Sequence, residues 1–109
     1  MISVNHITVS GKIVEYPKRI VLEETNTVMT VFKIHNETII NNQRKTSYTL
    51  TVKCFGNVAE YVDASLMNGD EVIVSGTIAC HNQLIRGGYV GLPYIRALAV
   101  SKLEQEQYK

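Results

Sequence analysis

The residue types that most often perform catalysis or bind metal occur in this sequence, but their spacing does not form a site. Cys54 and Cys80 lack the CxxC spacing and the neighbouring His or Asp clusters of most zinc modules. His6, His35 and His81 have no helical or CxxC context for a metal, and no Ser/His/Asp or Cys/His set rises above chance. We therefore expect a protein that is not an enzyme, has no metal or cofactor, and buries Cys54 in its core.

Cations and an aromatic ring, in contrast, alternate with apolar residues in the middle of the chain. Residues 28–56 include four basic residues and one acidic residue. Because successive side chains of a strand point to opposite faces, one outward-facing set would lie opposite an apolar set that includes Leu50, Val52 and Cys54. The outward-facing set is Lys33, His35, Thr51, Lys53 and Phe55. Lysines pair with phosphates and a phenyl ring stacks on a base; an ordinary solvated face with one exposed ring is the alternative interpretation.

The surrounding pattern is that of an all-β domain with short strands. β-branched and aromatic residues recur in runs that are bounded by Gly, Asn and Pro. Gly11 indicates a bulge or sharp bend in the first run, and Pro17, which has no N–H to donate, is expected to end it. The runs predict strands over residues 4–14, 28–37, 48–55, 71–80 and 94–103.

One short helix is predicted between the third and fourth strands. Residues 57–67 follow helical spacing, with Asn57 as the N-cap and Glu60 three positions later, and Gly69 is expected to stop the helix. The order β-β-β-α-β-β predicts an all-β OB fold, a five-stranded Greek-key barrel. A two-sheet sandwich is less favoured because it usually needs about seven strands.

Two loops of the predicted barrel carry further cations and rings. Residues 41–42 are a turn signal, residues 43–45 form a polar, basic loop, and residues 81–93 form a glycine-bearing loop. A phosphate-cradling loop would need a helix after it, whereas Pro93 and a strand pattern follow, so the sequence favours a hairpin tip. The candidate binding residues in and beside these loops are Arg44, Lys45, Tyr48, Arg86 and Tyr89.

Length and charge set the remaining bounds. The 109 residues fit one domain, predicted over residues 1–103 with a polar tail over residues 104–109. A net charge of +1 excludes a strong global attraction to nucleic acid or membrane, but not a local basic patch. In OB folds, oligonucleotides bind on strands 2 and 3 and two flanking loops, and the positive charge of this chain falls on those segments.

No membrane span and no secretory signal is visible, so the sequence predicts an intracellular protein.

Four segments, in order, carry a resemblance to a known family. They are residues 7–11, residues 51–60 with a strand ending in Phe-Gly-x-x-Ala, residues 68–76 with Gly-Asp-x-Val-x-Val-x-Gly, and the last strand over residues 94–100. The chain resembles bacterial-type single-stranded DNA-binding proteins and their relative, primosomal replication protein B. The resemblance implies an OB fold without catalysis that forms dimers or tetramers through first strands and binds single-stranded DNA without sequence preference. Phe55 matches the family's stacking phenylalanine.

The sequence also departs from this family. The family commonly has tryptophans on its binding surface, and this chain has none. Ile40, Thr49 and Gln83 occupy three such positions, while Tyr48, Tyr89 and Tyr94 are possible substitutes. Stacking contributes about 1–3 kcal/mol per base, so we expect weaker and more salt-dependent binding. The chain ends soon after the last strand, which is typical of an accessory form rather than a cell's main protein of this type.

Two hypotheses follow. In the first, a homo-oligomer binds single-stranded DNA, with RNA not separable by sequence, in the cytoplasm at the nucleoid or in a plastid. In the second, the OB fold has weak affinity for nucleic acid and docks on replication proteins. The site predicted by the first is Lys33, His35, Arg44, Lys45, Tyr48, Thr51, Lys53, Phe55, Arg86 and Tyr89.

Overall fold

Five strands close into a barrel, with one helix between the third and the fourth. The computed structural model describes residues 3–42 and 44–104. The elements are β1 (Ile7–Leu22), β2 (Thr27–Ile40), β3 (Arg44–Phe55), α1 (Gly56–Ser65), β4 (Glu71–Ile85) and β5 (Gly88–Lys102). The strands follow one another around the barrel as β1-β2-β3-β5-β4, and only β3 and β5 run parallel. This arrangement confirms the predicted OB fold.

The core fills the barrel with the apolar half of each alternating strand. Phe32, Ile34, Val52 and Cys54 are fully buried, as the alternation in β2 and β3 predicts. α1 covers one end of the barrel with Ala59 and Val62. Burial raises the pKa of the Cys54 thiol to about 12, so the thiol stays neutral and acts as a small apolar side chain.

One buried hydroxyl joins α1 to the barrel. Thr30 is the one fully buried polar side chain among the described residues, and its Oγ1 donates a hydrogen bond of 2.9 Å to the carbonyl oxygen of Ala59. A buried hydroxyl without a partner would cost free energy. This bond therefore fixes where α1 lies against β2.

β1 is longer than the sequence predicts, and Pro17 does not end it. Its pairing with β2 shifts register between Ile13 and Glu15 and again between Glu15 and Lys18. Pro17 is buried within the second irregularity, where a residue without an N–H fits because a bulge leaves one position unpaired. The bulge predicted at Gly11 lies further along the strand.

Gly11 marks the place where β1 passes from one partner to the other. Residues 7–12 pair with β4, and pairing with β2 begins at Lys12. A Cβ on Gly11 would lie 2.8 Å from the carbonyl oxygen of His35. The close approach of β2 therefore requires a glycine at this position.

The glycine-bearing segment over residues 81–93 forms a hairpin, so a hairpin tip is present as predicted, but the prediction that the whole segment is a loop is wrong. β4 continues to Ile85 and β5 begins at Gly88, with Arg86 and Gly87 between them at φ values of 48° and 81°. Two central residues with positive φ form the tight turn that suits the twist of a hairpin. Gly87, Gly88 and Gly91 interrupt the alternating pattern by which the sequence would predict strands here.

β2 and β3 also extend into a long hairpin. Asn41 and Asn42, at φ values of 53° and 59°, confirm the predicted turn. Arg44 and Lys45 belong to β3, so the basic loop predicted over residues 43–45 is wrong for these two. Gln43 lies outside the described residues. Asparagine adopts the left-handed conformation more readily than most residues, which allows β2 to reach Ile40 before the chain turns.

The helix begins and ends earlier than predicted. Its N-cap is Phe55, without a side-chain cap bond, so Asn57 lies inside α1 and does not cap it. The chain leaves the helix at Leu66 in an extended conformation. Gly69, at φ 92°, lies beyond the helix, where its N–H donates to the carbonyl oxygen of Ile13 at 2.9 Å. Gly69 therefore ties the following turn to β1 and does not stop the helix.

The hairpins give the molecule an elongated shape. Its extents are 53 × 35 × 33 Å and its radius of gyration is 15.8 Å, whereas a compact domain of this length has about 13 Å. α1 is the only helix of the described residues, and it is too short to cross a membrane. β5 ends at Lys102, and the last five residues of the predicted tail lie outside the described part of the chain.

Candidate functional site

The strand register brings the predicted outward-facing residues of β2 and β3 together and adds two from β5. Lys33 pairs with Thr51 across β2 and β3, and Lys53 pairs with Arg96 across β3 and β5. Alternation puts the opposite side chains of these strands in the core. We call the outer surface the β2–β3–β5 face. Its members are Lys33, His35, Thr51, Lys53, Phe55, Tyr94 and Arg96.

Each aromatic ring of the β2–β3–β5 face carries a cation. Lys53 Nζ lies 4.2 Å from the centroid of the Tyr94 ring. The guanidinium carbon of Arg96 lies 5.2 Å from the centroid of the Phe55 ring. Both distances fall within the range of cation–π attraction, about 6 Å. Two positive charges and two rings are therefore held side by side, and all four side chains come from β3 or β5.

The lysines of β2 and β3 nearest the edges of this face are paired with glutamates. Lys33 Nζ lies 3.2 Å from Glu15 Oε2, and Lys45 Nζ lies 2.9 Å from Glu37 Oε2. All four side chains are exposed, so solvent screens both pairs and they are weak. An anion that binds here has to compete with the two carboxylates.

Glu37 is the centre of a small charged cluster. Its other oxygen, Oε1, lies 3.5 Å from His35 Nε2, and the second nitrogen of that ring lies 3.3 Å from Thr49 Oγ1. The hydrogen bond and the charge of Lys45 lower the pKa of the Glu37 carboxyl, and His35 contributes in the same direction. Glu37 therefore stays ionised at pH values below the range in which a glutamate usually takes up a proton.

Arg44 and Tyr48 lie on the other side of the β2–β3 hairpin. They share the phase of Leu50 and Val52, whereas Lys45 shares the phase of Thr51. Tyr48 is 45% exposed and Arg44 borders an open cavity with Ile40, Asn41 and Thr46. The structure thus places Lys45 at the end of the β2–β3–β5 face and does not bring Arg44 and Tyr48 onto it.

Arg86 and Tyr89 lie at the far end of the β4–β5 hairpin. Arg86 occupies the turn, and Tyr89, which pairs with Leu84, is 78% exposed. Tyr89 alternates out of phase with Tyr94, so the two rings belong to opposite sides of β5. Both predicted residues are accessible, but they are not part of the β2–β3–β5 face.

A cleft lies between β3 and the base of the β4–β5 hairpin. Its volume is about 160 Å³. Its walls combine an aromatic ring, two apolar side chains, a hydroxyl, an ammonium group and an imidazole. They are Tyr94, Leu92, Pro93, Thr51, Lys53 and His81.

The sequence prediction missed Arg96 and His81 and gave Tyr94 only a minor place. Tyr94 and Arg96 alternate with the buried Ile95 and Ala97, a signal that the sequence does contain. It does not contain the parallel contact between β3 and β5, which puts Arg96 beside Lys53. In the described ranges 3–42 and 44–104, no three His, Cys, Asp or Glu side chains are placed to hold a metal ion.

Comparison with known proteins identifies a family and a similar structure. A family model described as the single-strand binding protein family matches residues 4–87. Among curated proteins, none shows significant similarity to the sequence. Among solved structures, the fold is similar to the Plasmodium falciparum SSB complex with ssDNA, with a TM-score of 0.82 and 14% sequence identity. That match covers 95% of this chain and 98% of the other.

Proposed function

Because this chain belongs to the single-strand binding protein family, we propose that it binds single-stranded DNA and that the strand lies on the β2–β3–β5 face. A solved structure with a similar fold is a complex with ssDNA. This function requires no catalytic step, because a bound protein by itself prevents the DNA strand from pairing with a complementary strand.

The observation that carries the proposed site is the mixture of cations and rings on one surface. Lys53 and Arg96 lie beside Tyr94 and Phe55, all on adjacent positions of β3 and β5. Cations that follow the phosphates and rings that stack on bases are the two components of single-strand binding without sequence preference. Since every base has a π-face, these contacts favour single strands over duplex, whose bases are already stacked.

The two long hairpins extend the proposed path. Lys45 lies on the β2–β3 hairpin, and Arg86 lies at the turn of the β4–β5 hairpin. Both cations belong to hairpins that continue strands of the β2–β3–β5 face beyond the barrel. A strand long enough to follow either hairpin would meet a positive charge.

We also propose that two copies associate through β1. Over residues 7–11 the described structure pairs β1 with β4 on one edge, while pairing with β2 starts only at Lys12. On the other edge the Ser10 carbonyl accepts a hydrogen bond from the Asn36 amide at 2.7 Å. The adjoining backbone groups of this edge are the kind of template on which a second strand adds, and a two-fold axis would satisfy both copies.

The ssDNA proposal is tested by fluorescence anisotropy of a labelled oligothymidine, titrated at several salt concentrations with duplex as competitor. We expect preference for the single strand and an affinity that falls with salt, at a slope of about −0.7 per neutralised phosphate. The double variant Lys53→Glu with Phe55→Ala should bind much more weakly. Arg19→Glu is the matched control, because it reverses a charge whose partner is Glu60 of α1.

Two outcomes would contradict the proposal in different ways. Unchanged affinity of the double variant would place the strand on another surface. Absence of binding by the parent protein, even at low salt, would favour the second hypothesis, docking on replication proteins. That hypothesis has some support in the exposed apolar side chains of the β4–β5 hairpin, which are Leu84, Ile85, Val90 and Leu92.

A further inference from the structure

The cleft between β3 and the base of the β4–β5 hairpin has the size and the lining of a subsite for one planar ring. A cavity of about 150 Å³ admits a benzene ring, and this open cleft has about 160 Å³. Tyr94, Leu92 and Pro93 provide apolar walls. Thr51 and His81 provide groups that can donate or accept hydrogen bonds at the edge of a ring.

The ring that would stack in this cleft is covered by a cation. Lys53 Nζ lies over the Tyr94 ring at 4.2 Å, and both residues border the cleft. The described structure gives Lys53 no carboxylate partner within 4 Å, in contrast to Lys33 and Lys45. Without a bound ligand, the Lys53 ammonium group therefore lies on the face of the Tyr94 ring.

We propose that the cleft holds one nucleobase stacked on Tyr94, and that Lys53 leaves the ring to pair with the neighbouring phosphate. This inference rests on the proposed function and adds a named subsite to it. A nucleotide supplies both groups at once, since its base replaces the ammonium on the ring and its phosphate receives the displaced charge. A free base would displace the Lys53 ammonium without offering it a phosphate, and a simple anion would pair with Lys53 without stacking on Tyr94. Either one alone therefore binds poorly.

Photo-cross-linking tests the position of the base. The probe is an oligothymidine containing 5-iodouracil, irradiated in complex with the full chain, and the cross-linked residue is mapped by mass spectrometry. We expect the cross-link at Tyr94. Tyr94→Leu should weaken binding by about 5- to 150-fold, the range for loss of one stacked base, whereas Tyr94→Phe should bind like the parent. Tyr61→Leu is the control, because Tyr61 is an exposed tyrosine of α1.

Salt dependence tests the role of Lys53 without disturbing the ring. Lys53→Met should lower the salt slope by about 0.7, the value for one phosphate contact on a single strand. At high salt, where phosphate contacts contribute little, it should bind as well as the parent or up to about 5-fold more tightly, because no cation has to leave the ring. Lys33→Met, whose ammonium rests on a carboxylate, should show no such gain.

The outcomes separate this inference from the proposed function. If the parent binds the oligonucleotide but Tyr94 is not cross-linked, or if Tyr94→Leu binds like the parent, the subsite is wrong while the function stands. If Lys53→Met is weaker than the parent at every salt concentration, the exchange of Lys53 between ring and phosphate is wrong. If the parent does not bind the oligonucleotide at all, the function and the inference both fail.

Discussion

At the scale of single residues, the cations of the proposed interface differ in what they contact before a ligand arrives. Lys53 and Arg96 lie over rings, whereas Lys33 and Lys45 contact carboxylates. A lysine that leaves a carboxylate for a phosphate exchanges one anion for another. Such a residue contributes less to affinity than its charge suggests. The two glutamates therefore reduce what Lys33 and Lys45 would contribute to the proposed binding.

Glu37→Gln should bind single-stranded DNA more tightly than the parent, by less than about tenfold, because exposed ion pairs are weak. The substitution frees Lys45 and removes its partner's negative charge, which the lowered pKa of Glu37 maintains even at pH values below the usual titration range of a glutamate. The salt slope should steepen by about 0.7, one additional phosphate contact. Anisotropy titrations at several salt concentrations measure both quantities. Glu60→Gln, which removes the same charge from α1, should leave both unchanged.

At the scale of elements, the sequence predicts the strands well inside the barrel and poorly outside it. The alternation of Val52 and Cys54 with Lys53 is clear because one face is buried. The hairpin residues 81–93 are exposed on both sides, so burial imposes no alternation on them and their glycines suggest a loop. Pro17 misleads for a related reason, because the bulge that accommodates it depends on the register of β2.

The candidate site shows the same division. Lys33, Thr51, Lys53 and Phe55 could be predicted because β2 and β3 are neighbours along the chain as well as in the barrel. The contribution of β5 could not, because β3 and β5 are separated by α1 and β4 and meet only when the barrel closes. Alternation assigns Arg96 to an outer face but does not identify its neighbour.

Gly76→Ala should destabilise the protein. The glycine lies at a register shift between β4 and β5, and a Cβ there would overlap the carbonyl oxygen of Arg96. Overpacking of this kind costs about 1–3 kcal/mol, and urea denaturation measures it. Gly88→Ala is the control, since the nearest atom to its added Cβ is 3.9 Å away, and its stability should change by no more than about 0.5 kcal/mol. Equal stability of the two variants would show that β5 can shift away from β4.

At the scale of the whole molecule, the edge of β1 that faces away from β4 connects the fold of one copy to the proposed association of two copies. The Ser10 carbonyl points away from β4, toward Asn36, and the backbone groups of Thr8, two positions earlier, point the same way because strand groups alternate with a period of two. A substitution at Thr8 therefore affects the proposed contact between copies and spares the ladder within one copy.

If two copies associate through β1 as proposed, Thr8→Pro should give monomers, because it removes an N–H that faces the open edge, where a proline is tolerated. Thr8→Ala keeps this N–H while it loses the hydroxyl contacts to His6 and Ser75, so it should remain oligomeric. Light scattering after size-exclusion chromatography gives the mass of each variant. A parent protein that elutes as a monomer, or a proline variant with the parent's mass, would exclude association through this edge.

The barrel is closed by a very short contact between two of its strands. β3 and β5 are in register at only two positions, Val52 with Ile95 and Lys53 with Arg96, while the other neighbouring strands share six or more. Local opening of a native protein starts where few backbone hydrogen bonds hold it. Amide hydrogens near this seam should therefore exchange with solvent before those of the rest of the barrel. Lys53 and Arg96 lie on the outer face at this contact, one on each strand. A polyanion bound to both would therefore hold β3 and β5 together and stabilise the closed barrel.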